Sequence, residues 1–149
     1  MVRRLLGTTN EFSLAILRLA VGVVFFAHGA QKALGWFGGN GFNGTMTAFT
    51  QYLHIPAPFA VLAIAAEFLG GLGLIFGLLG RVAAFGILCD MAVAIAKVHW
   101  NNGFFMNWSG TQKGEGFEYH IIAIAILVVL IIKGSGAMSF DLFLSRRRR

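Results

Sequence analysis

The chain has 149 residues, of which 57% are hydrophobic and only 12% charged, and its mean hydropathy is +0.74. A soluble domain carries about 25% charged residues, and a chain this short cannot hide so much apolar surface in its own core, so the composition excludes an ordinary water-soluble domain and predicts an integral membrane protein. The net charge of +6 does not point to nucleic acid, because the cations gather at the chain ends, with Arg3 and Arg4 at one and Arg146, Arg147, Arg148 and Arg149 at the other.

A hydrocarbon core about 30 Å thick needs roughly 20 mostly apolar residues as helix. Four segments qualify, at about 12–34, 57–79, 82–98 and 119–132. They predict an all-α fold, a single four-helix membrane bundle over residues 1–149. The first segment is not a removable signal sequence, because Arg18 interrupts its core and no small-residue cleavage site follows. Along it Glu11, Arg18, Phe25 and Lys32 recur every seven residues, with Gly22 and Gly29 between them. At 100° per residue these lie within about 40° of Arg18 on one stripe, which marks the inward face, with His28 on its flank.

Residues 35–56 are Gly-rich and then read as a short interfacial helix, with Met46, Phe49, Tyr52 and Leu53 on its apolar side and Pro56 ending it. The second span carries Glu67 near its centre. Its Gly70, Gly73, Gly77 and Gly80 form a small-residue stripe that seats helix against helix, within the bundle or at a homo-oligomer contact. A tight turn at Leu79, Gly80 and Arg81 joins it to the third span, which carries Asp90 and, two turns on, Lys97. Cys89 is the one cysteine, so a dithiol relay within this chain is excluded. The loop 99–118 is aromatic, with Trp100, Phe104, Phe105, Trp108 and Phe117, as expected of a headgroup-level belt.

Counting Lys and Arg sets the orientation. With both termini inside, Arg3, Arg4, Arg81, Lys133 and the four terminal arginines are cytoplasmic, eight against Lys32, Lys97 and Lys113 outside. The expected location is the inner (plasma) membrane, with the terminal arginines touching anionic headgroups.

Charges inside a span cost about 2.5–3.5 kcal/mol each on insertion scales and turn inward. Helical rise puts Arg18 and Asp90 about 10–14 Å from the cytoplasmic end, with Glu67 nearer the middle. Arg18 is therefore expected to pair with Asp90, Glu67 or both, in a network that fixes helix register or handles protons. Near the outer boundary, His28, Lys32, Lys97, His99, Glu118 and His120 share a level. They predict a pocket walled by Trp36, Trp100 and Phe117, in which Glu118 and His120 exchange protons and the lysines and other histidines hold a quinone headgroup or a small anion. No HxxxH or ExxH spacing occurs, so no metal or haem site is expected, and the sequence has no flavin or Fe–S motif.

These residues resemble the DoxX family of small four-span membrane proteins over about Leu14 to Asp141. The likeness rests on Arg18, His28, Gly29 and Lys32, on the stretch EFLGGLGLIFGLLGRVAA with Glu67, Gly70, Gly71, Gly77, Arg81 and Ala84, and on HWNNGFF and GEGFEYH. The resemblance nominates Arg18, Glu67 and Arg81 as functional positions. Members of that family accompany a terminal quinol oxidase or a thiosulfate:quinone oxidoreductase, and another links superoxide detoxification to thiol metabolism. It implies a quinone-linked redox subunit with a redox partner protein. The alternative is a non-enzymatic scaffold, assembly factor or small-solute channel whose buried charges are structural.

Overall fold

The computed structural model describes residues 5–146. Of the two basic clusters, Arg3, Arg4, Arg147, Arg148 and Arg149 lie outside the described residues. Among those residues every regular element is helical. Helix α1 runs Phe12–Leu34 and stops at Gly35, whose φ of 75° ends it in a left-handed cap. Helix α2, Gly41–Thr47, continues through a π-helical turn, Ala48–Tyr52. Helix α3, Ala57–Phe76, starts behind Pro56, where a missing N–H costs nothing. Helix α4 is Gly80–Ala94, continued by a π-helical turn Ile95–His99 and a 3₁₀ turn Trp100–Asn102. Helix α5 is Glu118–Lys133, and α6 is Phe140–Arg146.

Three of these stretches, Phe12–Leu34, Ala57–Phe76 and Gly80–Asn102, are long and apolar enough to cross a membrane. Helix α5 is apolar throughout its middle but has 16 residues. The second span ends three residues before its expected boundary because Gly77 turns left-handed, with φ 63°. In the first loop, Met46, Phe49 and Leu53 are half-buried as an apolar side should be, whereas Tyr52 is exposed.

Helix α1 packs along α3, α3 along α4 and α4 along α5, and α5 reaches back to α1. Their shared core contains Val21, Phe25, Leu74, Ile87, Met91, Leu127 and Leu130. Outside it, Ile16, Leu62, Leu69, Phe76, Phe85, Ile122 and Ile132 are exposed, an apolar belt far beyond what a soluble monomer shows to water.

Glycine sets the α1–α3 approach. A Cβ on Gly29 would lie 2.4 Å from the Phe68 backbone, and one on Gly71 would lie 2.5 Å from the Phe26 nitrogen. No side chain fits at either place, so the backbones meet directly, as in small-residue crossings of membrane helices. These contacts, with Gly22 against Ile75, fix an antiparallel register in which Arg18 falls level with the α3–α4 turn. The α3 glycine stripe is filled from within the chain. Gly70 faces Ile87, Gly73 faces Ala83, Gly77 faces Ser139 and Gly80 faces Ser135.

Candidate functional site

Two polar centres lie at opposite ends of the helices. The one at the α3–α4 turn is built on Arg18, which is 1% exposed. Its Nε donates to the Ser135 carbonyl at 2.9 Å, one terminal nitrogen to the carbonyls of Leu74 and Ile75, and the other to those of Ala137 at 3.4 Å and Met138 at 3.1 Å. The last carbonyls of a helix lack intrahelical partners, and a cation there also meets the negative end of the helix dipole. Asp141 does the converse. Its carboxylate accepts the Leu79 N–H at 2.8 Å, the Gly80 N–H at 2.9 Å and the Ser135 hydroxyl at 2.5 Å, capping the start of α4. Arg81 donates to the carbonyls of Gly7 and Ile131, at the end of α5.

The expected partnership of Arg18 with Glu67 or Asp90 is therefore corrected. Arg18 bonds backbone carbonyls at the end of α3 and in the segment between α5 and α6. Counting helical rise from the start of each span places Arg18 level with Asp90, whereas the glycine register sets about the first two and a half turns of α1 beyond the end of α3.

The second centre lies in the half of the molecule away from that turn. Lys32 forms an ion pair with Glu67, and Asp90 lies close enough to both to interact with them electrostatically. Glu67 is 3% exposed. The Lys32 carbonyl accepts the Thr45 hydroxyl at 3.2 Å, which ties α2 to this end of α1. From the other side come two imidazoles, with His99 and His120 ring centroids 4.1 Å apart. His99 Nδ1 bonds the Glu115 carbonyl at 2.8 Å. The π-helical turn Ile95–His99 carries His99 to this position, a use to which such turns are often put. His120 is 6% exposed, and its buried Nδ1 has no hydrogen-bond partner among the described residues.

Both halves of this centre border a cavity of about 1220 Å³ that runs along α3 and α4. Of the residues singled out in the sequence, His28, Lys32, Glu67, Asp90, Lys97, His99 and His120 line it. Four others do not. Glu118 turns away to accept the Met106 N–H at 3.1 Å and the Trp108 indole N–H at 3.4 Å, so it secures the loop before α5. Trp36 packs edge-on against Phe37, and Trp100 stacks on Phe117 at 5.5 Å. Arg18 belongs to the other centre. Loop strands 103–105 and 116–118 bond to each other, with Gly116 N–H to Phe105 O and Glu118 N–H to Phe104 O, and this pairing turns Glu118 outward.

Sequence reasoning missed Tyr119, which lines the cavity, and the Ser135–Asp141 partnership. Ser139 as a helix cap, accepting the Leu142 N–H at 3.2 Å, is a legible sign of α6. It does not reveal that Asp141 reaches the α3–α4 turn.

The DoxX family model matches residues 13–100. An uncharacterised Haemophilus influenzae protein is 27% identical over 148 residues, covering 94% of this chain and 88% of its own. A second from the same organism is 28% identical over 141 residues, covering 89% and 90%. A Bacillus subtilis protein named "Putative oxidoreductase CatD" is 26% identical over 139 residues, covering 93% and 92%. No solved structure matches the chain.

Proposed function

The chain belongs to the DoxX family of membrane proteins, and from that premise we propose that it is a quinone-linked redox subunit with four spans and both termini cytoplasmic in the inner membrane. The distribution of cations supports this orientation. Arg18, Arg81, Lys133 and Arg146 gather toward one end of the helices, with Arg3, Arg4 and the rest of the terminal cluster adjoining them in sequence. The oxidoreductase name of the Bacillus subtilis relative agrees with a redox role.

The cavity favours a neutral headgroup over a small anion. Of its two lysines, the half-buried Lys32 is already paired with Glu67, with Asp90 as a second acid beside it, and Lys97 is exposed. A bound anion would have to compete with Glu67 for the Lys32 ammonium. A quinone carbonyl asks instead for a hydrogen-bond donor in an apolar enclosure. The single observation that carries this reading is His120, a cavity-lining side chain whose buried Nδ1 has no hydrogen-bond partner among the described residues. Such groups are rare, because leaving one unmade costs about 1–3 kcal/mol.

Reduction of a quinone to its quinol takes up two electrons and two protons. The electrons come from the redox centre of a partner oxidoreductase. This chain contributes the enclosure, the donor at His120 and the lysine that polarises its surroundings. Glu118, turned to the loop, holds the roof rather than touching the ligand. Titrating a short-tailed ubiquinone into the protein in lipid nanodiscs tests the reading. His120→Ala is expected to weaken binding by about tenfold, the worth of one hydrogen bond of about 1.4 kcal/mol. Unchanged affinity in both His120→Ala and Glu67→Gln would remove the site.

A non-enzymatic scaffold or channel is the competing reading. It is favoured in the inner half by Arg18 and Asp141, whose hydrogen-bonding groups are all engaged in closing helix ends.

A further inference from the structure

We propose that the cavity's ligand is a long-chain, lipid-dissolved quinone that enters sideways from the bilayer, with its ring at His120 and its apolar tail lying in the groove between α3 and α4. The identity of the ring rests on the quinone reading above; the position of the tail rests on the groove itself.

The dimensions of the space are the first ground. A cavity of about 1220 Å³ exceeds the roughly 300–1,000 Å³ of most ligand pockets, so a ring alone leaves most of it empty. It is also long. Along α3 it is lined from Phe59 to Phe76, a rise of about 25 Å, which is most of a hydrocarbon core about 30 Å thick.

Its polarity is divided along that length. His28, Lys32, Glu67, Asp90, His99 and His120 line the part away from the α3–α4 turn. From Glu67 down to the turn and back along α4 to Asp90, no charged side chain lines it among the described residues, and the Cys89 thiol carries the one side-chain heteroatom. Between Glu67 and Phe76 this apolar part extends for about 14 Å of helical rise. A small polar head with an apolar chain matches such a division, and a compact polar solute does not.

The construction of the groove is the second ground. Its floor is made of small residues. A Cβ on Gly86 would meet only the Ala66 Cβ, at 3.5 Å, and one on Gly73 would lie 3.3 Å from the Ala83 Cβ. Its rim is made of large ones, with Leu62, Leu69 and Phe76 recurring every seven residues on α3 and Val82, Phe85 and Val93 on α4. All six line the cavity and all six are exposed, so the rim belongs to the apolar belt and the groove opens along its side to acyl chains.

His120 decides which end takes the head. It is 6% exposed, lines the same cavity, and its Nδ1 has no partner among the described residues. A protonated ring nitrogen there donates to a quinone carbonyl, which can only accept. Around this end the chain itself borders the cavity, through Phe49, Leu53 and Met106, and the Glu115 carbonyl ties the loop to His99 at 2.8 Å and to the Asn102 amide at 3.0 Å. A tail leaving the ring therefore runs toward the turn, where it meets apolar side chains only. An acyl chain of a phospholipid fits the groove as well, but its phosphate would have to compete with Glu67 for Lys32, whereas a quinone ring carries no charge.

Two photoreactive ubiquinone analogues in lipid nanodiscs test this, one with a diazirine beside the ring and one with it at the end of a tail long enough to reach the turn. Peptide mass spectrometry locates the adducts. Ring-end adducts are expected on Tyr119 and His120. Tail-end adducts are expected on Phe76 and Val82, exceeding those on the exposed Ile16 and Ile122 by about tenfold, equivalent to about 1.4 kcal/mol of preference for the groove over bulk lipid. Excess unmodified long-tailed ubiquinone should displace both. Tail-end adducts spread evenly over the four positions overturn the proposal, and the quinone reading survives that result where ring-end adducts are still displaced. Ring-end adducts that excess ubiquinone fails to displace sink the quinone reading and the proposal together. A photoreactive phosphatidylcholine that labels Phe76 and Val82 as selectively, and that ubiquinone does not displace, makes an ordinary lipid the occupant and also overturns it.

Discussion

Arg18 and Asp141 close the two sides of one turn: the guanidinium takes the carbonyls of Leu74 and Ile75 at the end of α3, and the carboxylate takes the N–H groups of Leu79 and Gly80 where α4 begins. Each charge meets the helix end that its sign suits. Leu79 itself has φ 52°, a conformation that costs a branched side chain of order 1 kcal/mol, and the Asp141 bond to its N–H helps to hold it there.

Arg18→Ala leaves five carbonyl interactions unmade, three of them buried, and is expected to destabilise the protein by about 3–5 kcal/mol, as breaking a buried charged network does. Asp141→Ala is expected to cost about 1–3 kcal/mol. Because both act on one turn, the double variant should fall short of the sum. Thermal or denaturant unfolding in detergent measures all three, and additive effects would mean that the two sides of the turn are independent.

Two glycines should respond oppositely to the same methyl group. Gly29→Ala drives a Cβ into the Phe68 backbone, and overpacking of this kind costs about 1–3 kcal/mol. It also prises apart the helices that carry Lys32 and Glu67. Gly86→Ala meets only the Ala66 Cβ, at 3.5 Å, and gains up to about 1 kcal/mol of helix propensity. Melting temperatures of the two variants in one detergent provide the comparison.

Lys32→Met leaves Glu67 and Asp90 without their cation and is expected to cost about 3–5 kcal/mol. Adding Glu67→Gln to it removes the uncompensated acid. Part of the lost stability should then return, so that the double variant melts above Lys32→Met alone. A double variant that melts lower still would show that Glu67 has stabilising partners besides the lysine.

Glu118 and His120, adjacent but one in sequence, should separate by readout. Glu118→Gln weakens the bonds to the Met106 N–H and the Trp108 indole by about 1 kcal/mol. It should alter tryptophan fluorescence while leaving quinone affinity within about twofold, equivalent to about 0.4 kcal/mol. His120→Ala should do the reverse, weakening quinone binding with little change in the loop.

The spans were legible because apolar length is a local property, and α1 occupies the residues its hydropathy marks. That Lys32, Glu67, Asp90, His99 and His120 face a common interior follows from the cost of exposing polar groups to lipid. The vertical placement of Arg18 was not legible, because composition does not say how far one helix slides past another. Glycine contacts between α1 and α3 decide that, and they move the guanidinium away from both acids. Glu118 was misplaced for a different reason. It is the first residue of α5, but the direction of its side chain is set by backbone pairing within residues 103–118, which no periodicity announces.

The carbonyls of Ser135 and Met138 that receive Arg18 lie 117 and 120 residues further along the chain. During translation the first span is therefore complete long before its arginine finds these partners. A ribosome has to finish nearly the whole polypeptide before that guanidinium is enclosed, so the nascent protein carries a cation only partly bonded, through Leu74 and Ile75, until synthesis is almost done. Chains cut short ahead of residue 135 would retain every apolar segment needed for insertion and yet present the cell's quality-control machinery with an open end.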